Sequence, residues 1–439
     1  MTTTIPDEKK HRRAINAWAL YDWANSAFAT TVLAALLPVY YQSVAGANLP
    51  GNRATVYWGY TTSISLLIAA LLSPILGAVA DFRGAKKRFL TYFVLMGAAG
   101  TAMLYWVGTG DWLLASLIFV VGEMGFASAN VFYDALLPHV ARSDEMDQVS
   151  AKGFALGYLG GGLLLAINLV TILLAPEGQT EQMTRLAFVS VAIWWLLFPI
   201  PLWLYVPEPQ RRVEAGEAGR SAFAVGFRRL AGTFREIRKY REVLKFVLAL
   251  WLYSDGIGTV IKVGVAYGAE IGISQTTLVG TLLAVQFASM PFAFAYGWLA
   301  KRIGVKPSIY LGLAVYSLAT IFAFLMQTDL HFLLLGLGIA TVQGGTQAIT
   351  RSLGARMIPK SKSGEFFGFI STSIKFAGIA GPLLFAAVGQ VMGSSRLAIL
   401  SLVVFFIGGA LLLTRVDVEE GMRVAREEDA ALLGRSPTN

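Results

Sequence analysis

Apolar and polar positions along this chain fall into long blocks, not into the short alternation of a half-buried sheet. Twelve apolar blocks are separated by polar loops, at roughly 14–43, 54–80, 89–108, 112–137, 149–175, 184–206, 243–268, 275–300, 308–327, 330–351, 364–391 and 396–415. Blocks of roughly 20 residues or more fit a hydrocarbon core about 30 Å thick at 1.5 Å per helical residue, so each predicts a membrane-crossing helix. Pro38, Pro74, Pro291 and Pro382 lie inside blocks, which a bundle tolerates because neighbouring helices re-satisfy the freed backbone groups. The first block, Ile15 to Tyr41, is longer than a signal-peptide core and lacks a small-residue cleavage site after it, so it reads as a retained helix.

Composition narrows the class. The chain is 55% hydrophobic and 14% charged, with mean hydropathy +0.59, too little charge for a soluble domain of this length. Cysteine is absent, which excludes disulfides, thiol nucleophiles and thiolate metal sites. His11, His139 and His331 show no ligand spacing, and no Gly-xxxx-Gly-Lys-Ser/Thr loop occurs. No metal, cofactor or nucleotide-driven chemistry is therefore expected. The net charge of +9 does not indicate nucleic acid, because the basic residues sit in loops between apolar blocks.

Those loops set an orientation. Of 36 Lys and Arg, only Arg53, Arg185 and Arg396 fall on one side, Lys262 and Lys375 lie inside spans, and the remaining 31 lie on or face the side of the N-tail. Basic residues stay cytoplasmic, so both termini are expected inside a cell membrane, plasma or inner. An even number of spans requires the same. The chain divides into an N-tail (1–13), a six-helix bundle (14–206), a linker (207–242), a second bundle (243–415) and a C-tail (416–439). In the linker, Phe223, Phe227, Leu230, Phe234 and Ile237 form an apolar stripe beside Arg228, Arg229, Arg235, Arg238 and Lys239. A helix lying on the anionic leaflet and a solvated linker helix are both open readings. The C-tail reads as mobile or loosely helical.

The two bundles repeat one another. Gly77, Gly84 and Lys86 recur as Gly297, Gly304 and Lys306, each displaced by 220 positions, and Pro138 recurs as Pro359, displaced by 221. A constant offset near half the chain means one structural unit occurs twice in the same order.

Two six-helix halves with Gly77-xxx-Asp81-xx-Gly84-x-Lys86-Lys87-Arg88 between the second and third spans resemble the major facilitator superfamily. Phe82 and Ala85 replace usual basic residues, and Lys301 replaces the acid in the second copy. Trp18-Ala-Leu-Tyr21-Asp22-Trp23-Ala-Asn25-Ser26, Ser150-Ala-Lys-Gly153-Phe-Ala-Leu-Gly157-Tyr158-Leu-Gly160-Gly161 and Leu252-Tyr253-Ser-Asp255-Gly256 are similar to the vacuole effluxer-like branch. The resemblance implies an all-α polytopic membrane protein of twelve helices in two six-helix repeats. It also implies a transporter, in a branch that includes fungal vacuolar amino-acid effluxers. It further implies that spans 1, 4, 7 and 10 line a central cavity and that Asp81 docks near the start of span 11 as part of an inner gate.

Ionisable and polar groups inside spans are costly, so each is a functional candidate. Span 1 places Asp22, Asn25 and Ser26 on one face; that face also reads as a polar seam between helices. Span 4 carries Glu123, Asn130 and Asp134, the last near the cytoplasmic end, where it faces water or caps a loop. Span 7 carries Asp255, Thr259 and Lys262; Asp255 and Lys262 are about 10 Å apart along the axis and need other partners. Span 10 carries Gln343, Gln347, Thr350 and Arg351, with Arg351 read as an inner-edge gate or lipid-headgroup residue. Span 11 carries Lys375, either in a structural salt bridge or meeting a substrate carboxylate. Lys262 or Lys375 is the expected cation beside Asp22. The glycines of span 5 read as a close-packing face. The leading function is secondary transport of a small organic solute by alternating access, amino acids and efflux first, with protons as a candidate coupling ion and a monomer expected in the lipid bilayer. A carrier of sugars, nucleosides or drugs, a membrane enzyme, and a non-transporting receptor or scaffold stand as alternatives.

Overall fold

The computed structural model describes residues 5–50, 53–209, 239–378 and 380–432. Most of these are helical, with no strand among the described residues. The helices are α1 (Ile5–Ala27), α2 (Arg53–Arg83), α3 (Lys86–Met103), α4 (Trp112–Val140), α5 (Met146–Leu173), α6 (Thr180–Leu197), α7 (Arg241–Glu270), α8 (Gln275–Ile303), α9 (Val305–Leu325), α10 (Asp329–Met357), α11 (Ser363–Ala377), α12 (Ala380–Met392), α13 (Ser395–Ser401) and α14 (Val418–Leu432). α1 runs on through widened π-type turns at Phe28–Leu36 and Tyr41–Ala45, with Pro38 between them. α6 is continued by Ile200–Tyr205 and α13 by Val403–Thr414. Leu71, Leu117, Leu173, Val404 and Leu411 are exposed, an apolar exterior that suits lipid.

Three segments differ from the sequence expectation. The N-tail is not separate: α1 begins at Ile5, because Glu8 bonds Arg12 (3.4 Å) and Arg142 (3.3 Å), and His11 bonds Glu145. The eleventh apolar block is two helices, α11 and α12, parted around Gly378. Pro382 cannot donate to a continuous ladder there, and the Gly381 N–H donates to Asp255 Oδ2 (2.7 Å) instead. The C-tail is a docked helix: Asp429 accepts from the Lys360 and Ser361 amides (2.8 and 3.0 Å), and Glu428 pairs with Lys362 (2.8 Å) and Lys239. The basic amphipathic stripe of the linker lies outside the described residues.

The repeat is visible in the packing. The halves meet where α2 packs on α11 and where α5 packs on α8, two contacts exchanged by shifting six helices along the chain. Both use glycine. A Cβ on Gly77 would lie 2.1 Å from Gly364 O, and one on Gly297 would lie 2.8 Å from Ala151 Cβ, so each crossing brings helices to near backbone contact.

Candidate functional site

Polar bonds between the halves gather at the end carrying the Gly77–Arg88 motif. Asp81 is buried at the end of α2 and accepts from the Gly364 and Glu365 amides (3.2 and 2.8 Å), the first turn of α11. Free amides and the helix dipole favour a carboxylate there. Lys86, also buried, pairs with Asp81 (2.5 Å). Gly84 takes φ +59°, and Gly304 of the second copy φ +93°, conformations that favour glycine. Lys87 donates to Trp203 O (3.0 Å) and Val206 O (2.8 Å), capping the end of the α6 continuation, while Arg88 is exposed.

On the other crossing the acid has moved. Lys301, in the place of Asp81, is exposed. Asp147 in the first turn of α5 bonds Ser352 Oγ (2.5 Å) and Arg356 Nη2 (2.7 Å) of α10. Ser363 Oγ adds a bond to Ala135 O (3.0 Å). Together these close the motif end.

Above this closure lies a cavity of about 650 Å³ between the halves, within the ~300–1,000 Å³ of small-molecule sites. Asp22, Asn25, Ser26, Asn130, Gln343 and Gln347 line it. They come from α1, α4 and α10, whose 3.6-residue period turns one polar stripe of each inward. Asn25 donates to Asn130 Oδ1 (2.8 Å). Glu123 and Asp255 are buried but are not in the cavity wall; Asp255 instead caps the start of α12. The side chains of Lys262 and Lys375 lie outside the described residues.

The cation described beside Asp22 is Arg351. Its Nη1 lies 3.4 Å from Asp22 Oδ2 and 3.3 Å from Asp134 Oδ1. Its Nε donates to Ser150 Oγ (2.9 Å) and its Nη2 to Ser150 O (2.8 Å). The Phe154, Trp18 and Tyr133 rings stand 4.3, 5.0 and 5.3 Å from Cζ, a cation–π setting. Arg351 therefore faces the other half of the molecule and not lipid, and Asp134 meets it across the cavity floor instead of capping a loop. Tyr133 donates to Asp22 Oδ2 (3.2 Å). The glycines of α5 make room for this cluster: a Cβ on Gly153 would lie 2.9 Å from Arg351 Nη2, and one on Gly157 would lie 2.6 Å from Ser26 Oγ and 3.1 Å from Asp22 Oδ1. Tyr133 and the pairing of Arg351 are not legible in the sequence, where Ser150 stands only as part of a family signature, though the glycine spacing of α5 marks the face they need.

The family model for vacuole effluxer Atg22-like proteins matches residues 52–426. The chain belongs to this family. It is 40% identical to a Bacillus subtilis (strain 168) protein described as the uncharacterized MFS-type transporter YxiO, over 96% of this chain and 99% of that one. Autophagy-related protein 22 of Coccidioides immitis (strain RS) is 24% identical over 85% of this chain and 74% of its own length. The fold is that of the proton:xylose symporter XylE, solved with 6-bromo-6-deoxy-D-glucose, with a TM-score of 0.71 at 14% identity, covering 93% of this chain and 96% of that one. This family member is thus an all-α, multi-pass membrane protein of the major facilitator superfamily and a secondary transporter.

Proposed function

We propose that the protein carries amino acids across a cell membrane by alternating access, outward in preference, with protons as the coupling ion. Both termini and the motif end face the cytoplasm in this reading, as the 31-to-3 distribution of basic residues favours. The state described, closed at the motif end, then faces outward. The two halves rock about the cavity, and the Asp81 and Asp147 bonds must break for the cytoplasmic side to open.

The observation that carries the reading is the cavity floor. A carboxylate and a guanidinium sit together in the wall of a chamber that also carries amides and the apolar side chains of Phe246, Leu250, Phe367 and Ile370. Burying such charges is costly, and a small zwitterion with an apolar side chain satisfies these features. The family description, vacuole effluxer, supports efflux. Among the described residues, two carboxylates share one guanidinium, which leaves a formal negative charge there for a proton or an ammonium to balance. Counterflow in proteoliposomes with the twenty amino acids, a sugar panel and a nucleoside panel tests this. Exchange of amino acids is expected. Exchange confined to sugars or nucleosides, or no exchange by correctly inserted protein, overturns it.

A further inference from the structure

We infer that Arg351 is the group that binds the carboxylate of the carried amino acid, and that Asp134 is the group it displaces; this rests on the amino-acid reading above. The guanidinium is held unequally. Nε and Nη2 make two short bonds to one residue, Ser150. The Ser150 hydroxyl donates onward to Ala348 O (2.8 Å), which fixes its lone pairs toward Arg351. The rings of Phe154, Trp18 and Tyr133 hold the guanidinium from its sides. That side of the group is a fixed mount. Nη1 is different. It is shared between two carboxylates at 3.3 and 3.4 Å, well beyond the roughly 2.7–2.9 Å of a good charge-assisted bond. This donor of the cavity wall is thus positioned but under-used.

The two carboxylates are not equivalent. Asp22 also accepts from Tyr133 and lies near Ser26 Oγ (3.5 Å), and its side chain is 10% exposed. Asp134 is described with the single bond to Arg351, and its side chain is 30% exposed. A substrate carboxylate reaching Nη1 replaces Asp134 and leaves Asp22 in place. Asp22 then lies beside the bound carboxylate, where an ammonium one carbon away can meet it. Adjacent opposite charges in the wall match adjacent opposite charges on an α-amino acid. They do not match a sugar, and they match less well an acid whose amine is several carbons away.

The test uses the purified full-length chain and reads ligand affinity from ligand-induced thermal stabilisation. The probes are leucine, suited to the Phe246, Leu250, Phe367 and Ile370 walls, with isoamylamine and 4-methylpentanoate, which lack its carboxylate and its amine respectively. If counterflow singles out another amino acid, that one and its own two analogues replace them. Wild type is expected to prefer the amino acid to the amine by at least about tenfold. Arg351→Gln should erase that preference, and Ser150→Ala should weaken amino-acid binding several-fold. Asp134→Asn removes the competitor and should tighten amino-acid binding several-fold, an effect that a purely structural contact does not produce. A carried amino acid bound no better than its amine, or bound unchanged or more weakly in Asp134→Asn, overturns the assignment. Absence of any amino-acid counterflow overturns the functional reading instead, so the two failures are distinct.

Discussion

Asp22 concentrates the chemistry at the residue scale. It is buried, bonded to Tyr133 and Arg351, and pressed against α5 where glycines leave room for it. A carboxylate in this setting changes its proton balance when water enters the cavity from one side or the other. Asp22→Asn is therefore expected to abolish concentrative transport at equal protein level, with exchange retained at a higher amino-acid concentration, since the substituted amide still offers the ammonium an oxygen. Concentrative flux at the wild-type rate would reduce Asp22 to a structural contact, and loss of binding itself would favour a ligand role over a proton role. Asp22, Asn25 and Ser26 are legible in the sequence because helical spacing alone places them on one face. Arg351 is not. Its partner Asp22 lies 329 positions away, and spacing along a chain does not say which helices meet. Asp255 shows the same limit: its burial is paired with an amide of α12, across a helix break that a continuous apolar run conceals.

At the scale of elements, the motif end is a set of caps and ion pairs that span the halves. Asp81→Ala removes the cap of α11 and leaves Lys86 buried without its carboxylate. Breaking a buried pair from one side costs about 3–5 kcal/mol, and here the penalty falls on the closed state. Transport should drop strongly with membrane insertion intact, and Asp147→Asn should act in the same direction through Arg356. Full transport by Asp81→Ala would mean that the motif is only a topogenic charge cluster. α14 adds a clasp that the sequence does not reveal, since an amphipathic tail does not name its partner. Burial opposes the charge of Glu428, but Lys239 and Lys362 outweigh it and hold its carboxyl below the ordinary 4.5. Burial likewise opposes the charge of Lys362, while its bond to Glu428 raises it above the ordinary 10.5. The carboxylate contribution is present above 4.5 and is lost as pH falls through the lowered value. The lysine contribution is present below 10.5 and is lost only as pH rises through the raised value. A nitroxide at Arg426 should keep one mobility from about pH 5 to about pH 10 and loosen first on the acid side, below about pH 4. Loosening near neutrality would contradict the clasp.

For the whole molecule, the twelve apolar blocks and the 220-residue offset make the fold legible before any contact is known. Eleven helices among the described residues are long and apolar enough to cross a membrane, and Ala380–Met392 is a shorter apolar helix. Hydropathy reads length and apolarity, which is why the spans are legible and the interruption of the eleventh is not. Sidedness follows from charge. Cysteines placed at Ser221 and Ser436 of this cysteine-free chain should label only from the cytoplasm, and one at Asn48 only from outside. Labelling of Ser221→Cys in intact cells by an impermeant reagent would reverse the arrangement.

The account depends most on the cavity being the path of an amino acid, open to one face at a time. Ser254 of α7 lines that cavity, and cysteine replaces it with little change of shape. The decisive measurement is the alkylation rate of Ser254→Cys by an impermeant reagent, in intact cells and in inverted vesicles, with and without each amino acid that counterflow identifies. Labelling should be faster from the outer face at rest, and a carried amino acid should slow it. Labelling from the cytoplasmic face alone, or labelling indifferent to every amino acid, would contradict the account.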